Sequence, residues 1–232
     1  MSYRSTSNQN QSPSPRRGGL SRAFGKAAKW TLRTLAIVPV AYAALVYALH
    51  IDGGRKLTPG ERQMVYDFFG DKIDTAEIRI FNRKAGHPSQ QLANFILGGN
   101  KHGIVYPFVF SYVDMCGEKY HADDYSNSGS DLRGFIMHEF MHIRQNQSDW
   151  ASCVRHPSRY GYVLVKGKDF KKYGEDEQAD MVQDYERRFL CPDQQYKATE
   201  ATVQGDGFDD KLKETIEKEF PEARKTRLRL GR

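Results

Sequence analysis

Ser130 to Gln147 read S-D-L-R-G-F-I-M-H-E-F-M-H-I-R-Q-N-Q, and the fold follows from taking this stretch as a buried helix. On an α-helix His138 and His142 stand one turn apart, so both imidazoles leave the same face and can share a metal ion. Glu139 lies beside them in H-E-x-x-H spacing, where a carboxylate can take a proton from a water polarised by zinc. Phe135, Ile136, Met137, Phe140, Met141 and Ile143 put apolar groups nearly all round the cylinder, the pattern of a helix covered on every side. The plainer alternative is a core helix whose two histidines and one glutamate are satisfied by hydrogen bonds. An ionised carboxylate in such apolar company is costly unless a cation answers it. Spacing and setting together favour Zn2+, held by His138 and His142, with Glu139 as general base.

Outward from that helix the elements are short and mixed. Leu57-Thr58-Pro59-Gly60-Glu61 is a helix start, with Thr58 as N-cap, Pro59 first and Glu61 third in a capping box. This helix should reach Phe69 and stop at Gly70. Glu77 to Phe81 alternates polar and apolar residues as a strand does, and Ser89 to Leu97 predicts a short helix ended by Gly98-Gly99. Ile104 to Phe110, I-V-Y-P-F-V-F, is strand-like, but Pro107 cannot donate to a ladder and marks an edge. An edge strand beside the zinc helix could hold an extended peptide by strand addition, or could simply close the sheet. Gly117 to Gly129 is polar and turn-rich, and Ser130 or Asp131 should cap the zinc helix. Tyr160 to Val165 predicts a short strand and Glu175 to Leu190 a second long helix, acidic in its first turn and ended by Cys191-Pro192. Phe208 to Phe220 is a last amphipathic helix. The fold class is α+β.

Charge divides the chain. Of its 35 basic residues seven lie in residues 1–33, which hold no acid, leaving 28 basic against 29 acidic thereafter. The net charge of +6 therefore belongs to the N-terminus, and nucleic acid is excluded as a partner of the folded part. Residues 1–29 predict a disordered basic cytoplasmic tail. Residues 30–51, from Trp30 through the uncharged run Leu35–Ile51, approach the ~20 residues a bilayer core needs and read as a transmembrane signal anchor, with Arg33 able to snorkel and Trp30 suited to the interface. The expected placement is a single pass through the inner (plasma) membrane, N-terminus cytoplasmic and the C-terminal domain periplasmic. Residues 52–220 form the catalytic domain in this reading, and 221–232 a basic, solvated C-terminal tail. Cys116, Cys153 and Cys191 are too few and too scattered for a C-x-x-C zinc site; in an oxidising compartment two of them can pair.

Six stretches taken in order carry a resemblance: L-T-P-G-E (57–61), F-G-D-K-I-D (69–74), I-R-I-F-N-R-K (78–84), H-E-F-M-H-I-R-Q (138–145), H-P-S-R-Y (156–160) and Y-G-E-D-E-Q-A-D-M-V (173–182). They resemble bacterial zinc metallopeptidases of the Vgr-related type, which are themselves similar to the core domain of extracellular contractile injection system proteins. The resemblance spans residues 56–190 and implies a zincin-like domain, with zinc on His138 and His142 and Glu139 as catalytic base. It also implies a third zinc ligand on a later helix, four residues before an acid that orients one of the histidines. That acid is Asp180. Four residues back stands Asp176 where the pattern has Glu, and Glu177 has the longer reach, so the third ligand is Asp176 or Glu177. Tyr160, Tyr162, Tyr185 and His156 are candidate oxyanion donors. The expected activity is peptidase-type hydrolysis of a peptide or protein substrate, with secretion-system components as possible partners. The alternative is a non-catalytic zinc-containing adaptor or structural module of a secretion or injection assembly.

Overall fold

The computed structural model describes Ala48, Ile51 and residues 53–97, 102–105, 111–148, 161–191 and 207–232, which all fall within one unit, Val46–Arg232. The tail expected over 1–29 and, apart from Ala48 and Ile51, the span expected over 30–51 lie outside the described residues. Among the described residues no helix is long and apolar enough to cross a membrane. The single-pass inner-membrane placement, with a cytoplasmic N-terminus and a periplasmic domain, is corrected on that finding. The 19-residue helix Ser130–Ser148 has the length, but it carries Asp131, Arg133, Glu139 and Arg144, whose charges lipid cannot answer.

The chain is mixed α/β with a small sheet. Its strands are β1 (Arg55–Lys56), β2 (Arg79–Arg83), β3 (Gly103–Val105) and β4 (Tyr112–Cys116), in the order β1-β2-β4-β3. β1 and β3 run antiparallel to their neighbours, while the central pair β2 and β4 is parallel, with Ile80 opposite Val113. A parallel pair needs a crossover. Helix α2 (Pro88–Leu97) and β3 supply it, which leaves β3 on the sheet's edge. Helix α1 (Pro59–Phe69) starts as its capping box requires: Thr58 Oγ1 accepts from Glu61 N at 3.0 Å, and Glu61 Oε2 accepts from Thr58 N at 2.8 Å. Glu61 also takes both arms of the Arg55 guanidinium at 2.7 Å and the Tyr125 amide at 2.9 Å. One buried carboxylate thus ties β1, α1 and the loop before the helix Ser130–Ser148 together.

Helices α3 (Ser130–Ser148) and α4 (Glu175–Tyr185, continued as a π-turn Glu186–Leu190) lie side by side. Their contacts cross in register: Arg133 reaches Glu186 at 2.6 Å, His138 faces Asp180, His142 faces Asp176, and Gln145 reaches the Glu175 carbonyl at 3.1 Å. The two helices are therefore antiparallel. Ile136, Met137, Phe140 and Met141 are fully buried. Behind them Phe68, Phe69, Tyr185 and Phe220 form a cluster of aromatic rings with centroids 4.8–5.7 Å apart, in the tilted and edge-on arrangements such rings prefer.

Two expectations change, and a third lies mostly outside the described residues. Residues 161–165 form no strand; this stretch is a loop whose Val165 amide donates to the Tyr173 hydroxyl. The expected strand over Ile104–Phe110 is described only to Val105, so Pro107 lies outside the described residues. The basic C-terminal stretch is not a solvated end. After α5 (Phe208–Glu219) it forms α6 (Pro221–Arg229), whose Thr226 hydroxyl donates to the Asp67 carbonyl of α1 at 2.9 Å. Its cations find acids in Glu217, Glu222 and Asp67, and that pairing with burial of Ala223 holds it down.

Candidate metal centre

The antiparallel register of α3 and α4 brings His138, His142 and Asp176 together, each offering one ligand atom, all within 4.8 Å of one another. The two Nε2 atoms are 3.2 Å apart, and His142 Nε2 is 3.2 Å from Asp176 Oδ1. Ligand atoms 2.0–2.1 Å from a tetrahedral zinc stand roughly 3.3 Å from each other, so His142 is spaced from both His138 and Asp176 as a shared zinc ion would hold them. Two nitrogens and one carboxylate oxygen are also a donor set that zinc accepts. The electrostatics agree with a cation. Burial pushes the His142 imidazole down, but its hydrogen bond to Asp176 and the charges of Glu139 and Asp176 outweigh that and raise it to about 9. A proton on His142 here answers carboxylates that a metal would otherwise neutralise.

The outer groups fix the rings. His142 Nδ1 is 2.7 Å from Gln145 Oε1, and the Gln145 amide nitrogen is anchored in turn on the Glu175 carbonyl and Gln178 Oε1. With Nδ1–H donating to Gln145, the neutral ring turns its Nε2 lone pair to the centre. Asp180 Oδ1 stands 3.2 Å from His138 Nδ1, out of line for a full hydrogen bond, and its other oxygen accepts from the Gly161 amide at 3.1 Å. Glu139 is 4% exposed, and its carboxylate lies against Gly103 of the edge strand β3.

Glu177 is turned away: its Oε2 accepts from the Gly174 amide at 2.6 Å, closing the N-terminus of α4. The structure thus brings Asp176, and not Glu177, to the histidines. Of the four candidate oxyanion donors, Tyr160 and His156 lie outside the described residues. The other two point elsewhere, Tyr162 donating to Asp184 and Tyr185 to Glu217, each at 2.9 Å. Burial and the Asp184 carboxylate push the Tyr162 hydroxyl far up, so it stays protonated in that bond. Gln145 is the residue sequence reasoning missed. Its signal was its place three residues after His142, on the same helical face.

No known family profile matches the chain. It is 26% identical over 185 residues to the type VI secretion system spike protein VgrG2b of Pseudomonas aeruginosa, a match covering 75% of this chain and 16% of that protein. Among solved structures, the effector domain of Pseudomonas aeruginosa VgrG2b is 25% identical and overlays with a TM-score of 0.43, covering 65% of this chain and 87% of that domain. The chain spans about a sixth of the length of the curated relative it matches. In sequence, then, the chain is similar to part of a Vgr spike protein, VgrG2b.

Proposed function

We propose that this chain is a zinc-dependent hydrolase of the peptidase type, with a zincin-like domain, that works in association with a bacterial secretion or injection system. The observation that carries the catalytic part is the convergence of His138, His142 and Asp176 with Glu139 next to them on α3. Zinc held there would supply Lewis-acid polarisation and would acidify a nearby water. His138, His142 and Asp176 would hold it, with Gln145 fixing the His142 ring and Asp180 standing beside His138. Glu139 takes the proton of the attacking water on a carboxylate oxygen and passes it to the leaving amine. Strand β3, at the end of the strand order and close to Glu139, would pair with an extended peptide backbone in this reading.

A second reading is a non-catalytic zinc-containing adaptor or structural module of a secretion assembly. The likeness to a spike protein bears on the secretion association and taken alone favours this second reading. Glu139 favours the first, because a purely structural site has no need of an acid beside the ligands. Metal analysis of the purified chain, followed by incubation with a mixed peptide library, separates them. Stoichiometric zinc with metal-dependent cleavage supports the hydrolase; stoichiometric zinc without cleavage supports the module; absence of zinc overturns both.

A further inference from the structure

Gly103 is a glycine without a backbone reason. It sits in the regular antiparallel pair of β3 with β4, opposite Met115, and its φ is not in the left-handed region, so the main chain there admits any L-residue. Its surroundings do not. A Cβ at this position would stand 2.0 Å from Glu139 Oε1, 2.5 Å from Cδ and 3.0 Å from Cγ. What the missing side chain makes room for is the Glu139 carboxylate.

The strand cannot simply step back. The Cys116 amide donates to the His102 carbonyl at 2.7 Å, which holds the start of β3 onto β4. The His102 ring stacks on Tyr120 with centroids 4.8 Å apart, and Tyr120 packs on Phe135 at 4.9 Å. Phe135 lies on α3 one turn before Glu139. Through His102, Tyr120 and Phe135 strand and helix are tied together beside the contact, so the flexible group left to relieve an added methyl is the Glu139 side chain.

We infer that Gly103 is a positioning residue: the notch it leaves in the edge strand seats the Glu139 carboxylate and sets its place beside His138 and His142. The inference rests on the reading of Glu139 as the base, but the seat itself is a steric matter that stability measures without turnover. Because the three atoms nearest a Cβ at Gly103 all belong to Glu139, filling the notch should misplace the base before it disturbs His138, His142 or Asp176.

The test is a set of four proteins: the wild-type chain, Gly103→Ala, Glu139→Ala and the Gly103→Ala/Glu139→Ala double variant. Zinc content and Tm are measured for each, and kcat and KM where there is turnover. Gly103→Ala should lower Tm in the wild-type background but leave it unchanged or raise it in the Glu139→Ala background, where the three closest contacts of the methyl group are gone and a strand alanine is preferred to glycine. Zinc content should stay at the wild-type level, and kcat should fall about 100-fold or more with KM little changed, as a misplacement of ~1 Å at the reacting centre commonly does. An equal loss of Tm in both backgrounds, or an unchanged Tm and kcat in Gly103→Ala, overturns the inference. If the wild-type chain shows no hydrolysis the proposed function fails, and the dependence of Tm on Glu139 still decides whether the seat exists.

Discussion

The two helix-borne histidines were readable one residue at a time, because H-E-x-x-H spacing fixes their common face on any α-helix. The acid that joins them was not. Asp176 and Glu177 differ by one step of ~100° round the helix; the four-residue spacing from Asp180 favours the first, and side-chain reach the second. What decides the matter is that Glu177 is the third residue of α4 and closes the helix end by accepting from the Gly174 amide. A capping box whose N-cap is glycine lacks the Ser or Thr that announces it, so the signal was muted. Asp176→Asn should weaken zinc binding by orders of magnitude and Glu177→Gln by little, read from competition with a chromogenic chelator. The reverse order would move the third ligand. Cys116 gives a second prediction at this scale. Burial, then the Asp114 charge, pushes its thiol up to about 12. The folded state therefore holds this proton where the unfolded chain, with a pKa of about 8.5, releases it; the stability it contributes is whole below that value and is lost as pH rises towards 12. Iodoacetamide at pH 8 should leave Cys116 unmodified in the native protein, as mass spectrometry would show. Labelling at the rate of an exposed thiol would contradict this.

Among the elements, the best-predicted was α1, whose cap, proline and closing glycine all lie within local reach of one another. β4 went unread, since Asp114 interrupts its apolar run; the residue is fully buried and its carboxylate stands 3.8 Å from Arg83 on the neighbouring strand β2. A partner that is close only in the folded sheet leaves no trace in a local pattern. The same holds for much of the C-terminal basic stretch, where Arg227 and Arg229 find their acids on α5 and far back on α1. Glu61 shows how much a local motif can conceal: as a capping-box residue it is worth about 1 kcal/mol, but it is also the buried end of the ion pair with Arg55. Glu61→Gln should therefore cost more than a cap, roughly 2–4 kcal/mol of unfolding free energy by denaturant titration. A loss below about 1 kcal/mol would mean the pair contributes nothing beyond the cap. Gly134 on α3 works the other way. Helix propensity favours alanine there by roughly 1 kcal/mol, yet its Cβ would stand 2.6 Å from Arg187 Nε, so Gly134→Ala should destabilise and a gain in Tm would refute that packing.

At the scale of the whole molecule, α3 and α4 are the two halves of one site, each carrying groups the other needs. His138 and His142 come from one helix, and Asp176 and Asp180 face them from the other. A metal bound across that seam is also a staple between the helices. Its removal should lower stability by the binding free energy at the working concentration, about 4 kcal/mol when free zinc is a thousandfold above its Kd. Chelation should thus lower Tm by several degrees, and restoring zinc should recover it; a Tm indifferent to chelator would argue that no ion bridges the seam. Sequence similarity to the VgrG2b spike protein stands beside the proposed secretion role, and the proposed chemistry hangs on whether Glu139 works or merely fills space. The most direct measurement is paired: zinc stoichiometry and hydrolysis of a peptide library by Glu139→Gln and His138→Ala beside the wild-type chain. Glu139→Gln should keep zinc near the wild-type level and lose hydrolysis, while His138→Ala loses both. Undiminished turnover in Glu139→Gln would contradict the account.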